Sequence, residues 1–158
     1  DVRVAKAWGT MEIANLVETP TRTSKELEQV ATSVQLFLDA RDRLDTVLAS
    51  SDTLVFAWSI APLRGLTGTY VRDQANWVIS RALQHGHTHA WVMGGHPRHP
   101  SRWRQYVGPQ RGLFDGATTV DRLTQGLERC AVEIARPRHG ELSEGAGNLL
   151  AKRGGRAA

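Results

Sequence analysis

Ala90-Trp91-Val92-Met93-Gly94-Gly95-His96-Pro97-Arg98-His99-Pro100 is the stretch that decides how this chain reads. Its first four residues form a short apolar run bounded by turn residues, the signature of a buried strand. The two prolines cannot donate to a central ladder, so the strand must stop before them. The two glycines permit a sharp exit and a close approach to the backbone. What remains is a stiff loop presenting His96, Arg98 and His99. In open α/β sheets ligands bind outside the carboxyl ends of strands, so this loop is expected to wall a ligand site. The competing reading is a stiff surface loop with no ligand.

Downstream, residues 98–111 carry Arg98, Arg102, Arg104 and Arg111 and no acid, with Trp103 and Tyr106 interleaved. A local cluster of this kind attracts anions in a way that an average charge does not. The whole chain is +4, but residues 136–158 account for +3 of it, leaving the rest at +1. Val120, Leu123, Leu127, Cys130, Ala131 and Ile134 predict a final amphipathic helix, with Cys130 as a core residue. Beyond it, glycine, alanine and charge without periodicity predict a disordered basic tail. The expected organisation is therefore one α/β domain over residues 1–135 and a tail over 136–158.

Upstream, Val2, Val4, Ala5 and Trp8 predict the end of a helix, capped by Gly9. Met11 to Leu16 alternates and then becomes apolar, which predicts a strand. Thr23-Ser24-Lys25-Glu26 is a capping-box signature. Leu36, Phe37, Ala40, Leu44, Val47 and Leu48 predict a helix with a charged outer face. Thr53 to Trp58 predicts a buried strand, and Ser59 to Thr69 a glycine-rich loop. A helix buried along Val71, Ala75, Val78, Ile79, Ala82 and Leu83 should follow. Strands alternating with helices imply parallel pairing, so the expected fold is α/β, a small parallel sheet of three strands flanked by helices.

A single cysteine excludes an internal disulfide and fits a reducing cytoplasm. No apolar run approaches a membrane span, and no signal peptide opens the chain. His85, His87 and His89 alternate, but no neighbouring acid or thiol completes a metal set, so neither a metal nor any other cofactor is expected. His96 and His99 are the candidate catalytic groups, since an imidazole can pass a proton near neutral pH and the prolines hold its backbone still. Arg98 suits bidentate contact with phosphate or carboxylate. Asn15 and Trp58 end two strands on the same expected rim. Asn15 could read a base edge, and Trp58 could be core or a stacking surface. Arg102 and Trp103 could contact phosphate and base, or could pack the loop onto the domain. The Gly65–Thr69 loop could cradle an anion through backbone N–H groups, although it lacks the lysine of a P-loop.

Lys6-Ala7-Trp8-Gly9, Asn15-Leu16, Ala57-Trp58 and above all Gly95-His96-Pro97-Arg98-His99-Pro100 resemble domain-of-unknown-function family 1643, found in bacteria and phages. The likeness covers about residues 1–103. The chain departs from it at Trp58-Ser59, where Trp-Gly is usual, and at Val92-Met93, where Thr-Lys is usual. The family pattern looks in turn like the uracil-DNA glycosylase superfamily. That resemblance implies a parallel sheet between helices. It also implies His96 as the residue stabilising charge on a departing base, Arg98 in a DNA-facing loop and Asn15 in base recognition. It further implies an amino-terminally incomplete member, since family members begin with a strand and an Asn-Pro-Ser-type turn.

The function these readings favour is nucleotide or nucleic-acid binding, with action on an extruded base if the domain is catalytic. The alternatives are a hydrolase or transferase acting on an anionic metabolite, and a non-catalytic fragment. No membrane partner is expected. Substrate and oligomeric state are not legible in the sequence.

Overall fold

A computed structural model describes residues 2–137, apart from 20, 22, 61, 62 and 117. Seven helices and two strands occur among the described residues: α1 (Val2–Ala5), α2 (Ser24–Val30), α3 (Gln35–Asp39), α4 (Arg41–Ser50), α5 (Gly65–Gln84), β1 (His89–Met93), α6 (Trp103–Tyr106), α7 (Thr119–Gly126) and β2 (Leu127–Ala131). Short 3₁₀ turns occupy Pro100–Arg102, Pro109–Arg111 and Val132–Ala135. The mixed α and β class is the expected one; the sheet itself differs.

β1 pairs with β2 in antiparallel register, with Trp91 opposite Arg129 and Met93 opposite Leu127. On its other side lies the extended stretch around Val55, which meets Trp91 in a single parallel bridge. There Phe56 N–H donates to the Trp91 carbonyl (2.9 Å) and Trp91 N–H to the Leu54 carbonyl (2.8 Å). The ladder that forms is therefore antiparallel, and the parallel direction survives only at this bridge. Met11–Leu16 is not a strand. No backbone–backbone bond joins it to another segment among the described residues. Instead Arg43 binds it from α4, donating to the Ile13 carbonyl (3.2 Å) and lying 3.9 Å from Glu12.

Alternation along the strands divides the packing in two. Ala90, Val92 and Cys130 face Leu44 and Leu48 of α4 and Val78, Ile79 and Ala82 of α5, with Leu54 and Phe56. Met93 and Leu127 face the other way, against Val107, Trp103 and Tyr106, with Val2, Trp8 and Leu123. A third cluster joins Phe37, Val71, Leu63 and Ala31. The α5 stripe follows the 3.6-residue period, and burial of each large aliphatic on it contributes ~1.5–3 kcal/mol.

Local chemistry sets the helix ends. At α2, Thr23 Oγ1 accepts from Glu26 N–H (3.1 Å), as the capping signature predicts. At α7 the box is complete: Thr118 Oγ1 accepts from Asp121 N–H, and the Asp121 carboxylate accepts from the Thr118 hydroxyl and N–H. These bonds, the hydroxyl first, hold the Asp121 carboxyl below its ordinary range. α1 ends with Ala7 at φ +54°, so Gly9 is not its cap.

The predicted helix over Val120–Ile134 is corrected. It stops at Gly126, and residues 127–131 become β2. The apolar spacing of Leu123, Leu127 and Cys130 suits a helix, but the open edge of β1 offers ladder bonds and outweighs periodicity. Gly126 marks the crossing, because a Cβ there would stand 2.9 Å from Met93 Sδ and 3.1 Å from Val107 Cγ1. Likewise Gly65–Thr69 is helix rather than loop. No helix of the described residues is long and apolar enough to cross a membrane. Residues 138–158, most of the predicted tail, lie outside the described residues.

Two polar clamps tie α5 to α3 and α4. Gln74 is fully buried; its Nε2 donates to the Phe37 carbonyl (2.8 Å) and its Oε1 accepts from Arg41 Nε (3.0 Å). Asp45 accepts from Arg81 Nε (2.8 Å) and Nη2 (2.6 Å) and pairs with His85 Nε2 (2.7 Å). Bonds from Arg81, then His85, hold the Asp45 carboxyl at about 2 against an ordinary 3.8.

Gln74→Leu strands the Phe37 carbonyl and the Arg41 guanidinium without replacing either bond, and should lower unfolding free energy by ~1–3 kcal/mol in urea titrations. Because the Asp45 pKa is depressed on folding, its clamp stabilises fully above 3.8 and is lost as pH falls toward 2. The stability difference between the native chain and Asp45→Asn should therefore shrink across that window in a pH series of urea titrations.

Candidate functional site

β1 leaves its ladder at two glycines in left-handed conformation, Gly94 at φ +61° and Gly95 at φ +74°. Gly94 N–H donates to the Gly126 carbonyl (2.8 Å), and Met93 and His96 form an antiparallel bridge across the turn. The Tyr106 ring lies directly against Gly94, leaving no room for a Cβ. The sequence thus folds back on itself as soon as the strand ends.

Arg98 holds that turn from the inside. Its Nε donates to the Met93 carbonyl (3.0 Å), and its guanidinium lies 4.4 Å over the centroid of the Tyr106 ring. The Arg98 carbonyl in turn accepts from the Trp103 indole N–H (2.6 Å). His99 caps the following 3₁₀ turn through Nδ1, which accepts from Ser101 N–H (3.3 Å) and lies 2.9 Å from the Ser101 hydroxyl. Arg98 and His99 are thereby engaged in building the loop; His96 and His99 are both exposed.

The segment after the loop is helical from Pro100 to Tyr106, then turns again at Pro109–Arg111. Arg102, Arg104 and Arg111 are exposed on it. The Arg102 guanidinium makes one long bond to Gln105 (3.4 Å), and the Arg104 and Arg111 guanidinium groups make none among the described residues. No ion pair to an acid holds any of the three among the described residues. Trp103 and Tyr106 are half-buried and pack against Met93 and Leu127.

Asn15 and Trp58 belong elsewhere. Asn15 borders a cavity of about 30 Å³ with Ala14, Glu18, Ala40, Arg43 and Leu44, room for a water but not a base. Trp58 packs on Phe56, with centroids 4.6 Å apart, in the cluster that faces α4 and α5. The structure thus brings together His96, Arg98, His99, Arg102 and Trp103, and places Asn15 and Trp58 in other packing groups.

The expected anion cradle at Gly65–Thr69 is the first turn of α5. Glu28 Oε1 accepts from Arg64 N–H (3.2 Å) there, so a carboxylate already stands at the helix start and opposes a second anion. The alternating histidines bind separate partners: His85 Asp45, His87 the Leu48 carbonyl (2.8 Å) and His89 the Thr88 hydroxyl (2.9 Å). Cys130 sits in β2, where burial, then Glu128, pushes its thiol pKa up, away from the reactive thiolate.

One group near the loop was not legible in the sequence. Glu128 Oε2 lies 3.7 Å from where a Gly95 side chain would begin, so an exposed carboxylate stands beside the glycine end of the turn. The false helix over 120–134 hid it; a break signal at Gly126 was the available clue. With this geometry in place, comparison with known proteins finds no matching family model, curated protein or solved structure.

Arg98→Ala removes both the bond to Met93 and the cation over Tyr106, and should destabilise the fold by ~1.5–3 kcal/mol, read by urea titration. Arg98→Lys should recover only part of that loss, since an ammonium lacks the planar fork.

Proposed function

We propose that this chain is a nucleotide- or nucleic-acid-binding domain of the kind its likeness to domain-of-unknown-function family 1643 implies, with the remote architecture of a uracil-DNA glycosylase. The parallel approach of residues 54–56 to β1, and helices packed against both sides of the strands, support that architecture. The observation that carries the function is the Arg102–Arg111 segment. Three exposed guanidinium groups stand on it, two on the helical run over 100–106 and one on the following 3₁₀ turn, with no acid pairing them among the described residues.

Phosphate is the anion such a surface suits. Guanidinium groups meet it bidentately, and a row of them matches a chain that repeats its charge. Arg98 contributes indirectly, by fixing the loop from which the segment departs. His96, whose side chain makes no hydrogen bond among the described residues, is the exposed imidazole we assign to a nucleobase held at this surface. There it can donate to an exocyclic carbonyl oxygen of the base or stabilise negative charge on a departing base. His99 supports the same rim through its cap on Ser101.

The test is fluorescence anisotropy with labelled DNA across a salt series. The native chain should bind at low salt and lose affinity steeply as salt rises. The combined Arg102→Ala, Arg104→Ala and Arg111→Ala variant should reduce the slope of log affinity against log salt by about 2 to 3, one phosphate contact per arginine. No binding at low salt, or an unchanged slope in the variant, overturns the reading.

A further inference from the structure

Five tryptophans lie among the described residues, and four have a partner on the ring. Trp8 and Trp91 meet edge to face at 5.7 Å, and Lys6 covers the Trp91 face at 4.2 Å. Trp58 stacks on Phe56, and Arg41 lies 4.8 Å over Trp77. Tyr106 is likewise taken, between Arg98 and Phe114. Trp103 alone carries no ring or cation on its indole among the described residues. Like the other four tryptophans it is partly exposed; it packs against the cluster of Met93, Val107 and Leu127, and its N–H is pinned to the Arg98 carbonyl at 2.6 Å.

A fixed, partly exposed indole between two exposed arginines is a preorganised stacking surface. Little rotamer freedom is left to lose on binding, because the N–H bond already sets the ring. Successive residues on a helix diverge by about 100°, so Arg102 and Arg104 depart to either side of the ring. From there they can hold the phosphates flanking one base. In a duplex each base already stacks within its own helix, so the indole gains a partner only where a base is unpaired.

We propose that Trp103 is the stacking platform for an unpaired base, which makes the ligand a single strand of DNA or RNA in preference to a duplex. This rests on the phosphate-binding reading above and narrows its substrate class. The arginines supply salt-dependent affinity; the ring supplies a contribution that salt does not screen.

The experiment compares four labelled probes on the whole chain: oligo-dT, oligo-rU, an abasic oligonucleotide of the same length and a duplex. The native chain should bind at least one of the first two more tightly than the abasic strand and the duplex. The dT and rU arms tell DNA from RNA. Trp103→Leu should weaken single-strand binding roughly 5- to 160-fold, as loss of one stacked base at ~1–3 kcal/mol requires, while its salt slope stays unchanged. Trp103→Phe, which keeps a ring, should retain most of the affinity. If Trp103→Leu fails to fold, the comparison of abasic with intact strand in the native chain decides alone. Equal affinity for abasic and intact strands, or a preference for duplex, overturns the stacking proposal while leaving the arginine reading intact. Absence of any salt-sensitive binding overturns both.

Discussion

β1 has to end at Met93, and what holds that end is the Arg98 side chain reaching back to the Met93 carbonyl. Ordering each loop residue costs ~1–2 kcal/mol of backbone entropy, more than one hydrogen bond returns. The loop is therefore held by several contacts at once. Gly94 bonds to Gly126, Arg98 lies over Tyr106, Tyr106 rests on Gly94, and Trp103 bonds to the Arg98 carbonyl. The prolines reduce what must be ordered in the first place, since their φ is fixed in the unfolded chain too. Take the Arg98 side chain away and the Met93 carbonyl and the Tyr106 ring lose their common partner. The arginine of the histidine–proline loop is thus an internal brace, and the groups left facing outward are its neighbours.

Much of the helical content could be read from local signals. The Thr23 cap, the stripe from Val71 to Ala82 and the Leu44–Leu48 face declare themselves within a turn or two, because cap bonds and helical period are short-range. The stop at Gly94 was legible for the same reason. The strands were not. Residues 127–131 alternate weakly and fit a helical stripe, and only the open side of β1 makes them a strand. Pairing depends on the partner, which lies 42 residues away at the first rung, His89 to Ala131. Nor could the sequence reveal that Arg98 turns inward, since an arginine between His and Pro reads equally as a phosphate ligand.

The scattering of the expected site has one physical origin. Asn15 belongs near the loop only on the premise that residues 11–16 and 53–58 are strands of one parallel sheet ending on one rim. The first of these never enters the ladder, because Arg43 takes the Ile13 carbonyl and approaches Glu12. Ala14 and Leu16 still pack on the core, so the segment is held by side chains and by one arginine in place of backbone pairs. Asn15 then lies beside α4. The second stretch pairs for one bridge only, and Trp58 lies on Phe56 rather than over the rim. A strand was anticipated at both places, a buried one only at 53–58; the direction in which each side chain lies was not legible, since it follows from a ladder that does not form.

The charge distribution decides how such a surface must work. With the net charge of residues 1–135 only +1, long-range steering by this part of the chain is weak. What a polyanion meets is a short-range field from Arg102, Arg104 and Arg111, damped beyond a Debye length of ~8–10 Å. Glu128 sharpens the boundary by placing an acid beside Gly95, at the other end of the same loop. A phosphate chain is therefore favoured along the helical run and opposed near the glycines. The Trp103 indole, which carries no ring or cation among the described residues, lies within that helical run. Coulombic attraction over so small a footprint falls away with salt, whereas contact between two ring faces does not. A domain with this little net charge gains lasting affinity for a polyanion only by adding such a contact, and that is the part the proposal gives to Trp103.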